Sequence, residues 1–383
     1  MNVELYLATR YKTTYDATPY HLYVTRHSRS ALFPLVTCYT LCAIRFSLTR
    51  IHVCVWQGDM SNKPLGIGLI GVGRHGMRYA RHIVEDLPQA SLRAVCRQHP
   101  QRGLDLPGAE SVRVYGEARS LIDDPSVEAI IAVTPPIFSP DICRLAVQAR
   151  KPLLIEKPLA VSAADARAMV TAAQQAGVPL MTAQTQRFDA AIQAMYAKRA
   201  SIGRSERLLL TSHIAPKETA PNHAEGYGNR GALLEIGVHL LDLVRFLTDE
   251  EVREVSCRMD RIPPTAPDTI VSAQLIMQGG TVCILDAARL PGERVGVVEW
   301  IGSEGRLLAD WTHRRFHWTG DGGEHEEKEF PLSPTVLSTL RAFLQAIESG
   351  APMPITGEDG LRAVEIADAC YLSAQAGGAP VVL

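Results

Sequence analysis

Lys157 and His239 are the residues of this sequence best placed to handle the oxygen of a bound small molecule. Lys157 lies in Glu156-Lys157-Pro158, directly after a short apolar run. A lysine held at a strand end by a tight, proline-bounded connection can point at a bound ligand, and its charge stabilises a developing alkoxide. The alternative is a solvated surface lysine. His239 shares a helical stripe with Glu235 and Asp242, at i, i+4 and i+7 counted from Glu235. An imidazole with a carboxylate one turn away suits general acid–base chemistry near neutral pH. On its own such a stripe more often faces water. The Gly- and Asn-rich loop Asn222 to Gly231 just before it favours a site, because binding residues concentrate on such loops. A third group, Gly71, Gly73 and Gly76, suits dinucleotide binding. The first glycine permits a tight turn, the second lets backbone approach a pyrophosphate, and the third lets the following helix lie close to its strand. That helix also offers free N–H groups and the positive end of its dipole to phosphates.

These groups need elements to hold them. Leu65 to Ile83 reads as strand, turn and helix, the helix continuing to about Leu87. Strands follow at Ser91–Cys96, Val112–Tyr115, Ala129–Val133, Pro152–Ile155 and Val178–Ala183. Helices alternate with them near Glu117–Ile122, at Pro140–Ala149, and from a Ser162 cap to Gly177. The unbroken apolar run at Ala129–Val133 is what a buried parallel strand requires. The alternation implies a doubly wound parallel sheet with helices on both faces, in which ligands bind beyond the carboxyl ends of the strands. The glycine turn, Thr134-Pro135-Pro136 and Glu156-Lys157-Pro158 all fall there.

Beyond Arg187 the rhythm changes. A helix at Ala190–Arg199, a strand at Arg207–Ile214 and the apolar helix Ala232–Leu247 lead into five strands with short turns: Val252–Met259, Ile270–Met277, Thr281–Ala287, Val295–Ile301 and Arg306–Asp310. Helices at Ser338–Ser349 and Gly357–Ala376 follow. The fold class is therefore α/β, with a Rossmann domain at 60–183 and an α+β domain with an open, mostly antiparallel sheet at 184–383. The second domain is expected to bind substrate and to mediate oligomerisation. Residues 1–59 read differently: rich in tyrosine and nearly free of acids, they form either a targeting peptide or an upstream extension before the natural start at Met60. The extension is the preferred reading, outside the fold.

Composition excludes several classes. A formal net charge of −2 over 383 residues gives nucleic acid or an anionic membrane nothing to grip. No apolar run reaches the roughly 18 residues needed to span a bilayer. The eight cysteines are scattered without a CxxC pair, as in a reduced cytoplasmic protein. His52, Cys54, Cys38 and Cys42 lack zinc-ligand spacing, so no metal is expected.

From Pro64 to Leu383 the chain resembles the Gfo/Idh/MocA family of NAD(P)-dependent oxidoreductases. The resemblance is carried by GVGRHG (Gly71 to Gly76), LLIEKPLA (Leu153 to Ala160), GALLEIGVHLLD (Gly231 to Asp242) and GEDGLRAVEIADACYLSA (Gly357 to Ala374). It implies hydride transfer between a nicotinamide and a carbon of a sugar, cyclitol or related small molecule. By the resemblance, Lys157 orients the substrate oxygen and His239 exchanges the hydroxyl proton. Glu235 stands where the family usually has Asp. Arg187 and Asp242 join Lys157 and His239 as expected substrate contacts, and His213, Lys217, His223 and Asn229 are weaker candidates for specificity. Gly71, Gly73, Arg74, His75, Gly76, Thr134, Pro135, Glu156 and Lys157 are expected at the cofactor. A homodimer or homotetramer is also implied.

Two departures stand out. Arg97 replaces the acid that commonly ends the second strand and holds a ribose 2′-OH; with His99 and Arg102 it forms a basic patch suited to a 2′-phosphate. NADP(H) is therefore expected over NAD(H). Ser139 stands where many members carry a histidine after the prolines. The resemblance leaves two alternatives open: a cofactor-retaining enzyme that oxidises only transiently, as in glycoside cleavage, and a nucleotide-binding regulator without catalysis.

Overall fold

The five apolar side chains Ile67, Leu69, Ile130, Ile131 and Leu154 explain why the first sheet lies at the centre of its domain: each is essentially inaccessible to water. Fully burying such a side chain is worth about 1.5–3 kcal/mol. The computed structural model describes residues 63–216 and 223–383. The segment 1–59 and Lys217 lie outside the described residues.

The first sheet is built from β1 (Leu65–Ile70), α1 (Gly76–Glu85), β2 (Ala90–Cys96), β3 (Arg113–Tyr115), α2 (Ala118–Ile122), β4 (Ala129–Ala132), α3 (Ser139–Gln148), β5 (Leu153–Glu156), α4 (Ala163–Ala176) and β6 (Leu180–Ala183). Its six strands run parallel in the order β3-β2-β1-β4-β5-β6. The order reverses between β1 and β4, which opens a crevice at their carboxyl ends. Ser162 caps α4 by accepting the Asp165 N–H at 3.2 Å, and Gly177 ends it in the left-handed region at φ 65°. Both features were expected from sequence.

The second sheet follows α5 (Ala190–Lys198). It takes in β7 (Ser205–Ile214), then, after the short α6 (His223–Gly226) and the long α7 (Val238–Thr248), β8 (Val252–Asp260), β9 (Ile270–Met277), β10 (Val282–Arg289), β11 (Val295–Gly302), β12 (Gly305–Asp310), β13 (Arg315–Gly320) and β14 (His325–Glu329). The last elements are α8 (Thr335–Ser349), α9 (Gly357–Gln375) and β15 (Val381–Val382). The nine strands lie in the order β14-β13-β12-β11-β7-β10-β9-β8-β15. The pairing is antiparallel except between β7 and β10, which run parallel. The sheet is therefore mixed and mostly antiparallel. Helices α5, α7 and α9 bury one of its faces.

The last two helices return to the first sheet. Val336, Leu340 and Phe343 of α8 join the core on the α1 side, while Leu361 and Val364 of α9 join the core on the α3–α4 side. The strands β13, β14 and β15 were not expected from sequence. Most of β14, HEEKE, is exposed and shows no apolar alternation, and β15 has two residues, so neither leaves a periodic signal.

Candidate active site

The glycine turn shows which glycines the protein itself requires. A Cβ on Gly71, whose φ is +92°, would lie 2.2 Å from the Val133 carbonyl oxygen, and one on Gly76 would lie 1.8 Å from the Gly71 oxygen. Both positions exclude any larger residue. A Cβ on Gly73 would meet nothing within 4 Å. Packing does not explain that glycine, whereas room for a pyrophosphate beside bare backbone does. The residues present therefore fit a dinucleotide.

Behind this turn lies Glu156, 8% exposed at the end of β5. Its Oε1 is 2.7 Å from His75 Nε2 and accepts the Tyr79 hydroxyl at 2.6 Å; its Oε2 accepts the Lys157 N–H at 3.0 Å. Burial raises the proton affinity of this carboxyl, but His75, Lys157 and Tyr79 together more than offset it and hold it below the usual range. Glu156 and His75, both expected at the cofactor, thus hold each other and brace the lysine that follows.

Lys157 reaches across to the second domain. Its Nζ donates to the Glu235 carbonyl oxygen at 2.6 Å. Burial lowers its pKa below that of a free lysine, against the opposing pull of Glu156 and Glu235. His239 lies one turn along from Glu235, and its Nδ1 is 3.1 Å from Gln184 Oε1. Burial first, and then the charges of Lys157, Arg294 and His75, push the imidazole well below its ordinary value, so it is neutral at physiological pH. Lysine and imidazole are therefore brought together at the carboxyl ends of the Rossmann strands.

The expected stripe needs correction. Leu233–Gly237 forms a π-turn, in which the Val238 N–H bonds the Leu233 carbonyl five residues back. The wider turn shifts Glu235 relative to His239. The Glu235 carboxylate, 7% exposed, pairs with His223 through one oxygen and with Arg289 of β10 through the other. It supports His223 instead of His239. Asp242 and Arg187, expected at the substrate, hold each other instead. Arg187 donates Nε and Nη2 to the two oxygens of Asp242 at 2.7 and 2.6 Å, and Nη2 also reaches Asp359 at 3.0 Å. Their side chains are 10% and 1% exposed.

The remaining candidates divide. His213 pairs with Asp286 at 3.1 Å, and strand alternation puts both on the sheet face away from α7, outside the site. Asn229 takes the left-handed backbone at φ 58°, a turn role. Arg97 donates Nη1 to the Gly103 carbonyl at 2.6 Å, around the short helical turn Pro100–Arg102 that carries Arg102. Thr134 and Pro135 follow β4 beside Gly71, and a Cβ on Gly226 of α6 would strike Pro135 at 2.7 Å, so α6, which carries His223, packs against that corner. The Ser139 hydroxyl is buried without a partner among the described residues.

Sequence reasoning missed four supporting residues: Tyr79, Gln184, Arg289 and Asp268. Asp268 accepts the Gly231 and Leu233 N–H groups at 2.7 and 2.8 Å and the Tyr371 hydroxyl at 3.0 Å, which seats the start of the Glu235 helix. Gly231 was the available signal, since a Cβ there would lie 2.0 Å from the Asp268 backbone carbonyl oxygen.

Comparison with known proteins agrees with this fold. Residues 65–184 match the family model described as oxidoreductase family, NAD-binding Rossmann fold, and residues 207–308 match that of the GFO/IDH/MocA C-terminal domain. The chain is 26% identical to myo-inositol 2-dehydrogenase of Thermotoga maritima over 317 residues, 78% of this chain and 92% of that protein. It is 30% identical to 1,5-anhydro-D-fructose reductase of Ensifer adhaerens over 256 residues, 63% of this chain and 75% of that one. An oxidoreductase from Agrobacterium radiobacter, solved with NAD+, L-tartaric acid and magnesium, shares the fold with a TM-score of 0.72 at 24% identity, covering 84% of this chain and 98% of its own.

Proposed function

The chain belongs to the Gfo/Idh/MocA family of oxidoreductases, and from that premise we propose that it interconverts an alcohol and a carbonyl on a sugar, cyclitol or related small molecule, with NADP(H) preferred over NAD(H). The observation that carries this reading is the convergence of Lys157 and a neutral His239 at the mouth of a dinucleotide crevice. The relatives named for inositol and 1,5-anhydro-D-fructose support the substrate class.

When bound, the nicotinamide supplies the hydride chemistry. The chain supplies position and proton transfer. Gly73 leaves room for the pyrophosphate at the start of α1, flanked by Arg74. The Lys157 ammonium, fixed by the Glu235 carbonyl, has N–H donors left for the substrate oxygen and stabilises negative charge on it. His239 accepts the hydroxyl proton during oxidation and returns it during reduction. Arg97 and Arg102, at the end of β2, are the residues suited to a 2′-phosphate.

In this reading 60–183 binds the dinucleotide and 184–383 shapes the substrate site. The uncovered face of the second sheet, with Leu209 and Ile284 half-buried on it, supports self-association. A spectroscopic assay of sugars, cyclitols and their keto forms with NADP(H) and NAD(H) tests the proposal. Substrate-dependent change in nicotinamide absorbance is expected. Product formation without net change would replace it with transient oxidation, and silence across the panel despite tight dinucleotide binding would favour a regulator.

A further inference from the structure

The cations facing His239 leave its ring neutral but do not decide which nitrogen keeps the hydrogen. Lys157 comes from the end of β5, His75 from the glycine turn and Arg294 from the loop before β11; the Glu235 carboxylate on the neighbouring turn is engaged with His223 and Arg289. A neutral imidazole has two tautomers, and only one has a lone pair on Nε2. The choice falls to the group on Nδ1, which is Gln184, 1% exposed, in the residue directly after β6.

We propose that Gln184 is the positioning residue that fixes His239 as its Nδ1–H tautomer, so that Nε2 presents its lone pair to the substrate hydroxyl. This rests on the dehydrogenase reading above and specifies how its base is prepared. The Gln184 carbonyl oxygen, 3.1 Å from Nδ1, can only accept, so Nδ1 carries the hydrogen and Nε2 is free. The other end of the same amide gives the second observation. Gln184 Nε2 is buried with no hydrogen-bond partner among the described residues. A buried amide donor without a partner is destabilising, and an acceptor oxygen on a bound substrate or cofactor would recover that cost. With the amide turned around, a bare carbonyl oxygen would be buried in a site that must tolerate negative charge, and Nε2 of His239 would carry the hydrogen and could accept no proton.

Nitrogen-15 NMR of histidine-labelled protein tests this without reference to turnover. With His239→Gln used to assign the signal, a pyrrole-type Nδ1 and a pyridine-type Nε2 are expected above pH 7.5, roughly one unit beyond an ordinary imidazole pKa. A hydrogen on Nε2, or an even mixture, would overturn the proposal while leaving the dehydrogenase reading intact. Gln184→Glu keeps the acceptor and adds charge, so the acid limb of kcat/KM should move up by about one pH unit or more. A limb that stays in place would mark Gln184 as merely structural. Gln184→Leu should lower kcat by about 10-fold or more with KM little changed; an equal kcat would also overturn the assignment. Full turnover by His239→Gln would remove the underlying reading, and with it any role for Gln184, whichever nitrogen bears the hydrogen.

Discussion

Two buried polar clusters sit within eight residues of each other along one helical stretch, and they are finished differently. Around Asp242 every strong group is answered: Arg187 bonds Asp242 twice and Asp359 once, while Arg245 bonds Glu251 at 2.6 and 2.9 Å and reaches Asp359 at 3.3 Å. Asp359 also closes the capping box of α9. Around His239 groups are left over. The Lys157 ammonium makes one hydrogen bond, to a backbone oxygen, and the Gln184 amide nitrogen makes none among the described residues. Closed networks hold a fold in one arrangement, whereas leftover donors in a cleft are capacity for a ligand. Residue type alone does not separate the two, since each cluster holds a cation and a carboxylate.

The largest effect that could break this comparison is on turnover. Lys157→Ala or His239→Gln should lower kcat/KM by about 10²–10⁴-fold, measured by nicotinamide absorbance under saturating cofactor. A loss below about 3-fold for both would remove their proposed roles. Next comes stability at the closed cluster. Asp242→Asn takes the bidentate carboxylate from Arg187 and leaves it only Asp359 in a nearly dry site, which should cost about 1–3 kcal/mol in urea unfolding, whereas replacing both residues by apolar ones of similar volume should cost less. Equal losses would mean that the pair itself, rather than the uncompensated charge, carries the stability.

The open cluster also has a pH signature. His239 is pushed below its ordinary value of 6.5 and Lys157 below its ordinary 10.5, so both limbs of kcat/KM should lie at lower pH than free side chains would give. For folding the sign is fixed as well. Between the depressed folded value and 6.5 the unfolded chain binds more protons at His239, so its contribution to stability is complete above 6.5 and is lost as pH falls through that window. A thermal-melting series across pH 5–7, about the range in which an ordinary imidazole titrates, checks this. The smallest expected effect concerns the cofactor. Arg97→Asp should shift the NADP-to-NAD affinity ratio toward NAD by about 10-fold, the worth of one charge-assisted hydrogen bond. An unchanged ratio would remove Arg97 from the cofactor site.

Much of this architecture was legible in the sequence because its signals are local. The βα alternation, the Ser162 cap and the glycine spacing each follow from a few neighbouring residues. Lys157 and His239 were legible because their motifs are local too. What the sequence hid depends on partners far along the chain. The π-turn at Leu233–Gly237 cannot be told from an α-helix by periodicity, and it redirects Glu235 from His239 to His223 and Arg289. Arg187 lies 55 residues from Asp242 and 172 from Asp359, and nothing near it in the sequence shows that it is neutralised. Gln184, a neutral amide, offered no chemical signal of its own.

The return of α8 and α9 to the first sheet has a consequence for biosynthesis. When a ribosome has translated as far as Phe330, all six strands of the nucleotide-binding sheet have been made, yet the walls that Phe343 and Val364 will cover still face water. The dinucleotide half therefore completes its core only after α8 and the start of α9 are made, and a premature stop codon between Thr335 and Val364 would strip those walls from it without deleting any of its strands.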